Sequence, residues 1–141
     1  MTQTLAIIKP DAVGAGKTGR VLAHLLDAGF VLRALRMMRL NQAQAEAFYA
    51  VHRERPFFPS LCAFMTSGPC IPMVLDHASA VPHLRAVIGA TDPAEAAEGT
   101  IRKLYAESKE RNAIHASDSE ENARREIAFF FNEADRTGLW E

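Results

Sequence analysis

The run Thr4-Leu-Ala-Ile-Ile8 constrains this chain most. Five residues with almost no polar interruption read as a central β-strand buried on both faces, because a half-exposed strand would alternate. Lys9-Pro10-Asp11 ends the run, and Pro10 keeps Lys9 extended and out of a helix. A lysine at the exit of a central strand is costly to bury and suits an anion, although a snorkelling surface lysine is the blander alternative.

The rest of the chain arranges itself around that strand. Gly14-x-Gly16-Lys17-Thr18 comes near a phosphate loop but lacks its residue order, and a Gly-rich turn before a helix is common. A helix follows from about Thr18 to Ala28, with Val21, Leu22, Leu25 and Leu26 inward and Gly29 as its stop. Phe30 to Leu40 alternates, with Arg33 and Arg39 on the outer side, and reads as a long half-exposed strand. Asn41, with Gln44 three residues on, caps the first helix of an αα-hairpin carrying Phe48, Tyr49 and His52. Arg55-Pro-Phe-Phe-Pro59 interrupts, and a second helix with Leu61, Phe64 and Met65 runs to Gly68-Pro69. Cys70 to Leu75 is a third strand, in which Pro72 removes a ladder donor.

Ser79 to Ile88 is a helix ended by Gly89. Asp92-Pro93-Ala94-Glu95 starts a short turn, and Thr100 caps a short helix to Tyr105. Ala113-Ile114 closes a short buried strand. Asp118, with Glu121 three residues later, or Ser119 caps a helix from Glu120 to Phe131 that carries Ala123, Ile127 and Phe130 at helical spacing. Asn132 to Glu141 is a tail with one large anchor, Trp140. Without the hairpin the order is βαββαβ. It predicts one α+β domain over residues 1–141, a ferredoxin-like four-stranded antiparallel sheet with helices on one face.

Bulk composition narrows the partners. Sixteen basic against seventeen acidic side chains give a net charge of −1, which offers no blanket argument for a nucleic-acid or anionic-membrane partner, leaves local basic clusters open, and weighs against a DNA-associated protein. Cys62 and Cys70 lack metal spacing and read as reduced core residues of a cytoplasmic protein. No signal pattern and no run near the ~20 apolar residues of a membrane span occurs.

His115 lies where a strand gives way to a helix, a position that holds the backbone rigidly while the side chain meets a ligand. Glu126 falls in the apolar stripe of the following helix. A buried carboxylate needs a partner, and His115 is the nearest sensible one. Lys9, Tyr49, Arg85, Thr91, Arg102, Asn112 and Ser117 also lie at element ends. Two arginines and a lysine suit a polyphosphate. A neutral imidazole fixed in one tautomer by a carboxylate on its far nitrogen is a nucleophile toward phosphorus. No His/Cys/Asp cluster has metal-ligand spacing, so Mg²⁺ would arrive on the nucleotide.

Asn112-Ala-Ile-His115-Ala-Ser117-Asp118-Ser119 resembles the N-x-x-H-G-S-D-S signature of nucleoside diphosphate kinases. Ile7-Ile-Lys9-Pro-Asp11, Arg55-Pro-Phe-Phe58, Ser67-Gly-Pro69, Gly89-Ala-Thr91-Asp-Pro93 and Gly99-Thr-Ile-Arg102 are similar to that family's other blocks, in order and spacing. The resemblance implies that His115 takes the γ-phosphoryl group of a nucleoside triphosphate and passes it to a diphosphate by a ping-pong route. It gives Glu126 and Ser117 the task of holding the imidazole. It places Lys9, Arg85, Thr91 and Arg102 on phosphates, Tyr49 near the reacting phosphates, Asn112 with Lys9 on the ribose 3′-hydroxyl, and Phe57 against the base. Stacking tolerates any base. The resemblance also implies a homo-oligomer, tetramer or hexamer, with the Pro93 region meeting neighbouring subunits. Two departures stand out: Ala116 replaces the glycine after the histidine, and Pro72 lies in an internal strand. Both are expected to be tolerated. An alternative of another class is a regulatory nucleotide-binding module of the same fold without transfer.

Overall fold

The computed structural model describes residues 2–136. Its elements are β1 (Thr2–Ile8), α1 (Pro10–Gly14), α2 (Thr18–Asp27), β2 (Val31–Leu35), α3 (Gln42–Phe48), a 3₁₀ turn (Ala50–His52), α4 (Phe58–Met65), β3 (Ile71–His77), α5 (Ala80–Ile88), α6 (Ile101–Tyr105), β4 (Ile114–Ala116), α7 (Glu120–Phe130) and α8 (Glu133–Arg136). The strands form one sheet in the order β2-β3-β1-β4, and every neighbouring pair is antiparallel. This is the ferredoxin-like arrangement, with α3 and α4 as the inserted hairpin.

Helices cover both faces of the sheet, not one. Ala6 and Ile8 of β1 pack with Val21 and Leu25 of α2 and Leu84 and Ile88 of α5. Leu5 and Ile7 point the other way, into Phe48, Cys62 and Met65 of the hairpin and Ile127 and Phe130 of α7. The cause lies in β1 itself: alternate residues face opposite sides, and both sets are apolar. An uncovered face would leave Leu5 and Ile7 in water, so the insert and α7 serve as a second layer. Cys62 and Cys70 are free and buried.

Strand β2 is half the length its alternation predicts. A bulge interrupts its register between Leu32 and Ala34, and regular pairing ends at Leu35 opposite Met73. Pro72 explains the stop. Arg36 N donates to Pro72 O at 3.2 Å, but Pro72 has no N–H to return to Arg36. The ladder resumes only at a single bridge, where Met38 and Cys70 exchange both backbone hydrogen bonds. The proline therefore removes one hydrogen bond, on the side of an edge strand, and the fold accommodates it.

Local signals set most helix ends. Asn41 and Gln44 form the expected reciprocal cap of α3. Thr100 caps α6 by accepting from Lys103 N. Ser119 is the N-cap of α7, accepting from Asn122 N, so the position three residues into the cap is Asn122, and the Asp118–Glu121 box does not form. Pro10 starts α1, a one-turn helix absent from the sequence reading, with extended Lys9 before it. The expected tail begins with α8, capped by Asn132 and Asp135 through mutual backbone-to-side-chain bonds. The expectation for Trp140 lies outside the described residues.

Candidate active site

Strand alternation delivers His115 to its partner. In β4, Ile114 and Ala116 face the α2/α5 layer, while His115 stands opposite Ile7 of β1 and shares its face. That face carries α7. Along α7, Ala123, Glu126, Ile127 and Phe130 are the buried residues, one stripe at helical spacing. Glu126 thus emerges from an apolar stripe directly beneath His115. Nε2 of His115 lies 2.7 Å from Oε1 of Glu126, and Ser117 Oγ donates to the same oxygen at 2.8 Å. Phe48 meets the His115 ring edge-on, at 5.4 Å between centroids.

The protonation state follows from these contacts. Burial lowers the His115 pKa below its ordinary 6.5; Glu126 opposes this, and Lys9 and Arg102 reinforce it. Burial pushes Glu126 up, but hydrogen bonds from His115 and Ser117 and the Arg125 charge outweigh it, leaving the carboxyl below its usual range. Arg125 Nη2 lies 3.7 Å from Glu126 Oε2. Both directions describe one state at neutral pH: an ionised Glu126 and a neutral His115. An ionised carboxylate only accepts, so Nε2 carries the proton and Nδ1 carries the lone pair.

His115 opens into a cleft of about 620 Å³. Of the ten residues singled out in the sequence, Lys9, Tyr49, Phe57, Arg85, Thr91, Arg102, Asn112, His115 and Glu126 line it. Ser117 is fully buried behind Glu126. Lys9 Nζ donates to Asn112 Oδ1 at 2.8 Å, and Asn112 Nδ2 donates to Thr91 O at 3.3 Å. Arg102 is more structural than its residue type suggests. Its Nη1 donates to Gly89 O at 3.1 Å and its Nη2 to Ile114 O at 2.8 Å, so it ties the α5 end to the strand that carries His115. Its Nε and Tyr49 Oη are buried without a hydrogen-bond partner. Burial, with Arg85 adding, brings Arg102 down to about 10, and burial pushes the Tyr49 phenol far up. The first therefore stays a cation at neutral pH and the second a neutral donor. Phe57 is 47% exposed at the cleft mouth, where its flat face is available.

The sequence reading missed several lining residues, among them His52, Leu61, Lys109, Glu110, Asp118 and Arg125. Asp118 lies inside the signature and Arg125 adjoins Glu126 in sequence, so both carried a positional signal. Lys109 and Glu110 lie in a polar loop and carried none. Five cations (Lys9, Arg85, Arg102, Lys109, Arg125) against three carboxylates (Glu110, Asp118, Glu126) favour an anionic occupant. Among the described residues no three His, Cys, Asp or Glu side chains converge.

Two backbone features frame the histidine. Ala113 has φ +74, the one left-handed non-glycine among the described residues. With Ile114 N donating to Asn112 O at 2.9 Å, it is the centre of a strained γ-turn. The conformation costs about 1–2 kcal/mol for a residue with a Cβ. Ala116, by contrast, sits in β4 without a positive φ. Nothing in the backbone at that position demands glycine. Turnover of Ala116→Gly should stay within about threefold of the parent, and a rise of about a hundredfold in a steady-state assay would contradict this.

Gly89 is a position where both backbone and space require glycine. Its φ is +88, and a β-carbon there would sit 2.6 Å from Thr100 Oγ1, the hydroxyl that caps α6. Gly89→Ala should destabilise by about 2–4 kcal/mol, the left-handed penalty plus the displacement of Thr100. Urea unfolding would show it as a lower midpoint at unchanged slope; an unchanged midpoint would count against the reading.

Sheet, inserted hairpin and cleft together define a ferredoxin-like α+β protein whose cation-rich, histidine-bearing cleft suits a phosphorylated ligand. Comparison with known proteins carries this to a family. Residues 2–136 match the family model for nucleoside diphosphate kinase. The nucleoside diphosphate kinase of Chlorobium chlorochromatii is 56% identical over 132 residues, covering 94% of each chain. That of Desulfatibacillum aliphaticivorans is 50% identical over 138 residues, 98% of this chain and 100% of that one. The solved Aquifex aeolicus nucleoside diphosphate kinase superimposes with a TM-score of 0.94 at 44% identity, over 96% of this chain and 99% of that chain. A halophilic nucleoside diphosphate kinase from Halobacterium salinarum, solved in complex with CDP, gives 0.92 at 38% identity, over 99% and 92%. The chain belongs to the nucleoside diphosphate kinase family and is an enzyme that transfers phosphoryl groups between nucleotides.

Proposed function

We propose that transfer runs by a ping-pong route through a phosphohistidine on His115. The observation that carries this is the 2.7 Å contact between Nε2 and Glu126, with a neutral ring on the one side and an ionised carboxylate on the other. Nδ1 attacks the γ-phosphorus of a nucleoside triphosphate. The P–N bond forms as the bond to the bridging oxygen breaks, and the diphosphate leaves with that electron pair. The terminal oxygen of a second diphosphate then attacks the same phosphorus, and Nδ1 leaves. Glu126 faces the ring as it gains positive character, and Ser117 keeps the carboxylate in place.

In this reading Lys9, Arg85, Thr91 and Arg102 hold phosphates, Tyr49 donates near the reacting phosphates, and Lys9 with Asn112 meets the ribose 3′-hydroxyl. Phe57 stacks on the base, which supports broad use of ribo- and deoxynucleotides. Mg²⁺ enters as part of the substrate and neutralises phosphate charge. The chain acts as one domain, in the cytoplasm, within a homo-oligomer of four or six subunits. No described helix is long and apolar enough to cross a membrane.

Incubation with Mg-ATP labelled on the γ-phosphate tests the route. The label should become protein-bound, acid-labile and base-stable, and should discharge to nucleoside diphosphates of any base. A protein that binds the nucleotide but never takes label would be the regulatory module instead.

The basic limb of the pH profile offers a second check. Burial, with Arg102 adding, brings Lys9 down to about 8 against the opposing charges of Asp11 and Glu110. The ammonium is the phosphate-binding form, so kcat/KM for the free enzyme should fall by about tenfold per pH unit above pH 8. A profile level to pH 10 would remove Lys9 from phosphate binding.

A further inference from the structure

The Lys9-Pro10-Asp11 segment grips the strained turn at Ala113 by both of its amide groups. Lys9 N donates to Ala113 O at 2.9 Å. Ala113 N donates to Asp11 Oδ2 at 3.0 Å. Asp11 is 6% exposed, its other oxygen has no hydrogen-bond partner, and the Ala113 amide it accepts from is itself in a fully buried residue. A carboxylate buried at this depth is costly to desolvate and calls for hydrogen bonds and opposite charge; Asp11 has Lys9 and Arg111 near it as charges and the Ala113 amide as its hydrogen-bond donor. The bond it makes is to the one non-glycine residue, among those described, whose backbone is left-handed.

That residue separates two cleft side chains. Asn112, immediately before it, holds Lys9 Nζ and the Thr91 carbonyl; His115, two residues after it, lines up with Glu126. If Ala113 relaxed to negative φ, the chain direction between Asn112 and Ile114 would change, and both side chains would lose their register. We propose that Asp11 is a positioning residue for phosphoryl transfer: its carboxylate holds Ala113 in the left-handed γ-turn and thereby sets the relative placement of Asn112 and His115. The proposal rests on the reading of His115 as the group that attacks phosphorus.

The two claims separate in one set of single-turnover measurements with γ-labelled Mg-ATP, each variant also melted. His115→Gln is the control and should take no label. Asp11→Ala leaves the buried Ala113 N–H without an acceptor, and should take label about 100-fold more slowly than the parent. Asp11→Asn keeps an acceptor oxygen and, at about pH 6.5, where Lys9 stays charged without the Asp11 charge, should label within about threefold of the parent. Ala113→Gly removes the steric cost of positive φ, so Asp11→Ala with Ala113→Gly should recover about tenfold of the lost rate. Rescue by Asn and by the second-site glycine is what a merely structural role would not produce, and it holds whether or not Asp11→Ala melts lower. Labelling of Asp11→Ala within about twofold of the parent, with His115→Gln silent, overturns the role of Asp11 alone. Slow labelling that neither Asn nor the glycine improves also overturns it. Label on His115→Gln overturns the underlying reading of His115.

Discussion

Replacing His115 by Gln should abolish transfer, by about four orders of magnitude or more, while ADP affinity stays within a few-fold. Gln approximates the volume of the ring and keeps a hydrogen-bonding group near Glu126, but it has no basic lone pair to attack phosphorus. In the proposed mechanism binding rests elsewhere, on the cations Lys9, Arg85 and Arg102 and on the exposed face of Phe57, all of which line the cleft. A fluorescent nucleotide displaced by ADP measures the affinity, and a coupled assay measures turnover. A variant that loses both together would mean that His115 anchors the nucleotide and that binding and chemistry are not divided as described.

Glu126→Gln should slow transfer by about one to three orders of magnitude, by analogy with other carboxylates that orient a catalytic histidine. Two donors, His115 Nε2–H and Ser117 Oγ–H, converge on the single oxygen Oε1. The carboxamide can satisfy them only by turning its own oxygen toward them. It then offers no negative charge to the ring as phosphorus bonds to Nδ1. If the amide turns its NH₂ toward the ring instead, Nε2 must accept, the proton moves to Nδ1, and the attacking lone pair is lost. Glu126 is also the group that raises the His115 pKa against burial. Removing its charge should lower that pKa further and move the acid limb of the profile to lower pH. An unchanged rate and an unmoved limb would remove Glu126 from the mechanism.

The features that were legible in the sequence share a property: each was written in side-chain chemistry. The unbroken apolar run in β1 marked the sheet centre, the Asn41/Gln44 pair marked the cap of α3, and the stripe holding Glu126 pointed to a buried carboxylate in need of His115. What escaped was written in the backbone or in long-range pairing. The early end of β2 depends on which neighbour Pro72 faces, and that is register, not composition. Ala113 carries no mark of left-handed geometry, because its conformation is imposed by Asp11 and Lys9 about a hundred residues away. Arg102 has the chemistry of a phosphate ligand, yet two of its donors are held by carbonyls of Gly89 and Ile114. The second helical layer was implicit in β1, since both of its faces are apolar, although the strand order alone pointed to cover on one side.

The site works as described only if Glu126 occupies one ring nitrogen and leaves the other to react. Trapping the labelled protein after one half-reaction and recording ³¹P–¹⁵N coupling on ring-labelled histidine identifies the nitrogen that carries phosphorus. The phosphoryl group should be found on Nδ1 of His115, with Nε2 still protonated. Phosphorus on Nε2, or on any other residue, would contradict the account.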